Sequence, residues 1–174
     1  MKKVFFCFLV SISLLACNDQ EELFDLTYEV DVVYTAGLPA FEVHFQDIFG
    51  LDTMIEEFLV ANDRAQTEIS SIVPKSAELV NVQSSEGLDF IRNISIRVFD
   101  GNQFNPNEQD NITEVFFREN VPQDRRSFID LLPSLPEVQD RLFDEDFNLS
   151  IRTELRVPPP STIEAKLRVT FVAR

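Results

Sequence analysis

An antiparallel two-sheet β-sandwich of about seven strands, with one or two short helices, is the fold this chain predicts, and three observations carry it. Phe24, Leu26, Tyr28, Val30, Val32 and Tyr34 take every even position while Asp25, Thr27, Glu29 and Asp31 fill odd ones, the two-residue period of a strand with one buried face. The same alternation returns near the C-terminus in Phe147, Leu149, Ile151, Leu155 and Val157, and again in Ile163, Ala165, Leu167, Val169 and Phe171. Between these, the apolar stretches are short and separated by turn residues, and helical spacing appears only briefly, which is the layout of a mainly β domain.

The chain opens differently. Lys2 and Lys3 precede an apolar run from Val4 to Ala16, shorter than the roughly 20 residues a helix needs to cross a bilayer. A basic start, a short apolar core and a small residue before the break describe a secretory signal peptide, residues 1–16. The break falls within Leu14-Leu15-Ala16-Cys17, which resembles the lipobox of bacterial lipoproteins. That resemblance implies cleavage after Ala16, diacylglycerol on the Cys17 sulfur and acylation of the new N-terminus.

Asn18-Asp19-Gln20-Glu21-Glu22 follows without an apolar residue, so residues 17–22 read as a lipidated, solvated tether leading to a single domain over 23–174. Asp19, Glu21 and Glu22 are similar to the acidic export tag of surface-exposed lipoproteins of the Bacteroidota, which implies the outer leaflet of an outer membrane. In some other Gram-negative groups an acidic residue as close as Asp19 implies retention in the inner membrane. Together with the strand-rich layout, these features make the chain resemble β-rich lipoproteins of the Bacteroidota. The implied location is the cell envelope; no activity is implied.

Within the domain, Ala36-Gly37-Leu38-Pro39 ends the first strand, and Phe41, Val43 and Phe45 alternate with Glu42, His44 and Gln46 in a second, placing the aromatics inward and His44 on the polar face. From Thr53 the period changes. Ile55, Phe58 and Leu59 have helical spacing, with Thr53 and Glu56 placed as a capping box, so a short helix to Asn62-Asp63 is predicted, with a strand through Phe58-Leu59-Val60 as the alternative. Asp52-Thr53-Met54 is also similar to the short Asp-Thr-apolar O-glycosylation motif of exported Bacteroidota proteins.

Pro74 lacks a ladder donor, which confines the next strand to about Ser76–Gln83, before a turn at Ser84-Ser85-Glu86-Gly87. Ile94, Ile96 and Val98 mark a fourth strand, and a polar loop runs from Asp100 to Asn111. Its Asp100, Asn102, Asn105, Asn107, Glu108 and Asp110 are oxygen donors of the kind calcium takes, but their spacing is not that of an EF-hand, so a solvated loop is the expectation. Residues 112–118 form another strand. Ser134-Leu135-Pro136-Glu137 then supplies an N-cap, an early proline and a capping glutamate for a helix of about two turns through Phe143. The last two strands, joined by Pro158-Pro159-Pro160-Ser161-Thr162, are expected to pair as a hairpin. Setting Val157 against Ile163 puts Glu154 opposite Lys166 and Arg156 opposite Glu164, whereas slipped registers oppose like charges.

Composition narrows the function. The whole chain carries 15 basic and 30 acidic residues, a formal charge of −15, and loses two cations with the signal. With no basic cluster larger than Arg125-Arg126, nothing favours a nucleic acid, whose binding depends on cations displacing counterions. Cys7 leaves with the signal and Cys17 would be blocked, so no disulfide or thiol chemistry is expected. A single histidine and four scattered glycines give no zinc motif, nucleophile elbow or phosphate loop. No metal or cofactor is expected, and no enzyme.

The chain has 17 phenylalanines, two tyrosines and no tryptophan. Phenylalanine fills dry cores, and sugar platforms favour the other two. Two readings remain: a non-catalytic, membrane-anchored binding or assembly module with an envelope protein as partner, and a carrier holding a lipid or other hydrophobe in a Phe-lined cavity. A solid core with an exposed apolar edge favours the first; a cavity of several hundred Å3, on the order of ordinary ligand pockets, favours the second.

Overall fold

The structure, a computed structural model, describes residues 21–82, 87–100, 111–124 and 127–174. Eight antiparallel strands are linked in a single sheet: β1 (Phe24–Tyr34), β2 (Val43–Asp52), β3 (Ile72–Asn81), β4 (Ile91–Phe99), β5 (Ile112–Arg118), β6 (Phe128–Pro133), β7 (Asp146–Leu155) and β8 (Ile163–Ala173). Their order is β1-β8-β3-β6-β5-β4-β7-β2, and the sheet curls into a nearly closed barrel. The mainly β, antiparallel expectation is met. The expected pair of separate sheets is replaced by continuous pairing, because β6 serves both halves. Its residues 128–131 pair with β3, while Leu132 and Pro133 pair with Phe117 and Phe116 of β5.

Two helices, α1 (Ile55–Ala61) and α2 (Gln139–Leu142), lie at one end of the barrel. Strand directions place residues 21–23, α1, α2 and Arg174 at that end and the segments 35–42, 119–124 and 156–162 at the other. Among the described residues no helix is long and apolar enough to cross a membrane.

The core is a cross-barrel aromatic and aliphatic cluster. β1 buries each of its even residues, as its alternation predicts, and β8 answers with Ile163, Ala165, Leu167, Val169 and Phe171. Tyr28 meets Phe147 edge-on at 5.0 Å between ring centroids, and Phe171 tilts against Phe116 at 5.6 Å. Such edge and tilted contacts bring the positive ring rim to a negative face, adding to what area burial contributes.

The two tyrosines are buried with their hydroxyls bonded. Tyr28 donates to the Thr53 carbonyl (2.7 Å), and the Tyr34 hydroxyl lies 3.3 Å from that of Thr153. Burial pushes the Tyr34 phenol up to about 12, the Thr153 hydrogen bond opposing it, and burial with the nearby Asp52 charge raises Tyr28 as well. The fold therefore favours the protonated phenol. The stability this represents is fully present below the unfolded value near pH 10 and is lost as pH climbs to about 12, where the native phenol also ionises. For Tyr34 that amounts to roughly 3 kcal/mol. We expect urea midpoints to fall across this window, and Tyr34→Phe to flatten the fall; equal slopes in both proteins would remove Tyr34 as its source.

Several expectations are corrected by the structure. The C-terminal strands do not form a hairpin. β7 lies between β2 and β4, β8 between β1 and β3, so Glu154 faces Val43 and Asn93 while Lys166 faces Asp31 and Val80. Both strands are buried on their inner faces and take neighbours on both edges, and this burial outweighs the charge pairs of the predicted register, worth roughly 0.2–1 kcal/mol each.

β3 runs through Pro74 and starts at Ile72. A bulge between Pro74 and Ser76 leaves Lys75 out of register, so the proline costs a local irregularity and not the strand. α1 forms as expected, but its capping box does not. Met54 is the N-cap residue without a side-chain cap, and Thr53 instead donates to Asp144 O (2.7 Å). α2 is a single turn with Val138 at its N-cap, so Ser134, Pro136 and Glu137 precede the helix. β6 had no clear signal in the sequence.

Candidate binding surface

β2 is where the sequence expectation inverts. Its inner, half-buried positions are His44, Gln46, Ile48 and Leu51, whereas Val43, Phe45 and Phe49 face outward with 40%, 39% and 49% of their surface exposed. Phe41, just before the strand, is 72% exposed and has φ 64°, in the left-handed region that costs a bulky residue strain. Apolar residues occupy both parities of 43–51, so only one set can face in. Ile48 and Leu51 pack against the core, and the inward polar groups are satisfied: the His44 ring Nε2 lies 2.8 Å from Pro39 O, and Gln46 Oε1 accepts from the Val33 N–H at 3.1 Å.

The strand is bent by a bulge in which Phe49 and Gly50 oppose Asn148 alone. Gly50 has φ 62°, a conformation glycine takes without strain, and its N–H donates to Asn148 Oδ1 (3.0 Å). The bend turns Phe49 edge-on to Phe99 (5.6 Å, 87° between planes), and Phe99 is 2% exposed although it lies outside the main core cluster.

Along the outer face, the register sets Phe45 beside Arg152, Arg152 beside Ser95, Ser95 beside Phe117 and Phe117 beside Leu132. Ser95 Oγ is buried in this row with no hydrogen-bond partner. Nearby Arg97 is lowered by burial, Glu114 at 3.9 Å opposing and the Arg152 charge adding to the effect.

The other outer face is built from charge. Arg168 bridges Glu29 (2.6 Å) and Glu78 (3.2 Å), Lys166 stands 3.9 Å from both Glu29 and Asp31, and Thr27 meets Thr170 at 3.1 Å. The Arg168 hydrogen bond holds the Glu29 carboxyl below the usual carboxylate range. The outer row over β1, β8 and β3 is thus ion-paired, whereas the outer row of β2 sets Val43, Phe45 and Phe49 around Asp47, which accepts from Ser150 Oγ (2.7 Å).

At the tether end, the out-of-register Lys75 reaches Glu22 (2.8 Å) and Asp25 (2.9 Å), with Arg174 3.8 Å from Glu22. The Lys75 hydrogen bond lowers the Glu22 carboxyl. Of the candidate export residues, Glu22 therefore docks on the fold and Glu21 is exposed, while Asp19, like Cys17, lies outside the described residues. Thr53 of the glycosylation-like motif is 1% exposed with its hydroxyl donated to main chain, a geometry that leaves it inaccessible to a sugar transferase. Asp100 of the polar loop accepts from Arg141 Nε (3.1 Å); Asn102, Asn105, Asn107, Glu108 and Asp110 lie outside the described residues, as do Arg125 and Arg126.

The phenylalanines sort clearly. Phe24, Phe90, Phe99, Phe116, Phe147 and Phe171 are buried, Phe58 and Phe143 pack partly against the core, and Phe41, Phe45, Phe49 and Phe128 are exposed. Three surface depressions, of about 460, 400 and 490 Å3, are lined by residues such as Asp100, Glu137 and Arg141, by Asp52, Glu56 and Glu145 with Phe143, and by Leu59, Asp63 and Glu68. None of the three is a phenylalanine-walled cavity. Among the described residues no group of His, Cys, Asp or Glu is arranged to hold a metal.

No protein-family model and no curated protein sequence matches the chain. Among solved structures, the empty head of turnip yellow mosaic virus aligns over 100% of this chain and 90% of its own at 10% identity, with a TM-score of 0.29. A score that low carries no argument about the fold.

Proposed function

We propose that the protein is a non-catalytic lipoprotein, anchored through Cys17 in the outer membrane, that serves as a binding or assembly module for another envelope protein. The observation that carries this is the outward apolar row of β2, Val43, Phe45 and Phe49, on an edge strand of a domain whose core is already filled by its own aromatics. Large apolar side chains exposed on a strand with an open edge mark a surface on which another chain can pack. On this reading the two halves of the sheet, joined at β6, act as the layers of a sandwich whose open side carries the binding surface. The carrier alternative has less support, since Phe116 packs on Phe171, Phe147 and Phe171 on Tyr28, and Phe90 on Tyr34.

Native mass spectrometry of protein purified from its own membrane tests the choice. A co-purified protein supports the module, and a co-purified lipid beyond the covalent anchor supports the carrier and sinks the module.

The tether carries a separate expectation. Replacing Asp19, Glu21 and Glu22 together by Gln should leave melting nearly unchanged, because exposed ion pairs such as Glu22 with Lys75 contribute little. Protease applied to intact cells should lose access to the variant. Equal digestion of variant and wild type would reduce the segment to a linker, and protection of the wild type would place the domain on the periplasmic side.

A further inference from the structure

We propose that the open seam between β1 and β2 is a strand-addition site, and that its occupant is an extended segment of a partner protein flanked by Lys or Arg. This deepens the binding-module reading and rests on it. β1 and β2 are the two ends of the sheet order and share no ladder. Ser71 and Arg174 exchange both main-chain bonds, so even residues of β8 serve β3 and odd ones serve β1. The odd residues of β1 therefore turn their N–H and C=O groups to the seam.

Across it the Gln46 side chain accepts from the Val33 N–H at 3.1 Å. A whole glutamine side chain plus a hydrogen bond spans more than the roughly 4.8 Å between directly paired strands, which leaves the seam wider than a closed ladder. An added strand would take over the Val33 N–H and release Gln46. Edge strands are blunted by lysine, proline, charge or a bulge; in β2 the bulge lies at Phe49 and Gly50, and the stretch from Val43 to Gln46 carries no lysine, proline or acid. Main-chain pairing would supply affinity there, with Val33 and Val43 flanking the segment.

Charge selects the occupant. The Asp31 side chain is 85% exposed on β1, with Lys166 3.9 Å away, Asp47 is exposed on the outer row of β2, and the chain carries −15 overall. A second copy would bring the same acids into contact, whereas a cation-flanked segment is attracted.

The test uses the full-length protein in detergent micelles and two synthetic peptides of alternating valine and threonine, one flanked by lysines and the other by glutamates. The lysine peptide should bind and slow hydrogen exchange at the Val33 N–H by about tenfold or more, with the glutamate peptide at least that much weaker. Asp31→Lys with Asp47→Lys should reverse the preference; Asp31→Asn with Asp47→Asn, which keeps an acceptor for Ser150 Oγ, should abolish it. Absence of binding, equal binding of both peptides, protection away from Val33, or concentration-dependent protection without peptide, which would mean a second copy fills the seam, each overturns the proposal. The titration needs neither membrane nor natural partner, so its failure removes the strand site alone, while the module reading stands or falls on what co-purifies.

Discussion

Cys17→Ala should shift the protein from the membrane fraction to the wash. Wild-type protein should carry the mass of a diacylglycerol and one further acyl chain on its first residue, and resist extraction by salt and alkali. One acyl chain gives only marginal binding and two signals give stable anchoring, so three chains exceed the need. Nothing else in the described chain substitutes for them: no helix spans a bilayer, and an overall charge of −15 repels anionic lipid. The loss should therefore be nearly complete, and the folded domain should melt as before. An unmodified wild-type N-terminus, or a Cys17→Ala protein that stays uncleaved and embedded, would end the lipoprotein reading.

Phe171→Ala should cost about 3–5 kcal/mol, the range for emptying a large aromatic site in a core. Phe171 is fully buried on β8, pairs with Leu26 of β1 and Pro74 of β3, and meets both Tyr28 (6.2 Å) and Phe116 (5.6 Å). It thus joins the two halves of the barrel across the interior. Domains have only about 5–15 kcal/mol in total, so the urea midpoint should drop by roughly a fifth or more. Phe171→Leu should lose distinctly less, and Val60→Ala, at an 81% exposed site, should stay within about 0.5 kcal/mol. If Phe171→Ala were no worse than Val60→Ala, the central packing would be wrong.

The parts of this fold legible in the sequence are those where one face alone is apolar. β1 and β8 could be read directly because Phe24 to Tyr34 and Ile163 to Phe171 leave no second choice of inward face. β2 could not, since Val43, Phe45 and Phe49 compete with Ile48 and Leu51 and the decision rests on Gln46 and His44 finding partners far along the chain. The candidate surface was hidden for that reason: its phenylalanines were counted into the core. Which strands pair was illegible for a different reason. Local charge patterns can choose a register for neighbouring strands, but β7 and β8 are separated by what each can bury, a property of the whole barrel. The lipobox-like Leu14-Leu15-Ala16-Cys17 is a linear pattern, and the anchor proposed on it rests on no feature of the fold.

With an anchor at Cys17, the start of β1 limits how far the domain stands from the membrane, since the Leu23 N–H is bonded to Ala173 O (2.8 Å) and Glu22 beside it meets Lys75. If Cys17 is lipidated, four residues separate the anchor from the point where Lys75 and Arg174 grip the chain. At roughly 3.3–3.6 Å per extended residue, the leash is on the order of 15 Å, shorter than the barrel is tall. The domain then stands on the membrane by its helical end and pivots rather than roams, with the loops at 35–42 and 156–162 uppermost and the β1–β2 seam running upright between them. A partner moored in the same leaflet meets that seam side-on, as a wall at fixed height, and has only two dimensions to search. Confinement of that kind raises the effective concentration of the seam, so an interaction too weak to detect between the same two proteins in dilute solution would still be populated on the membrane.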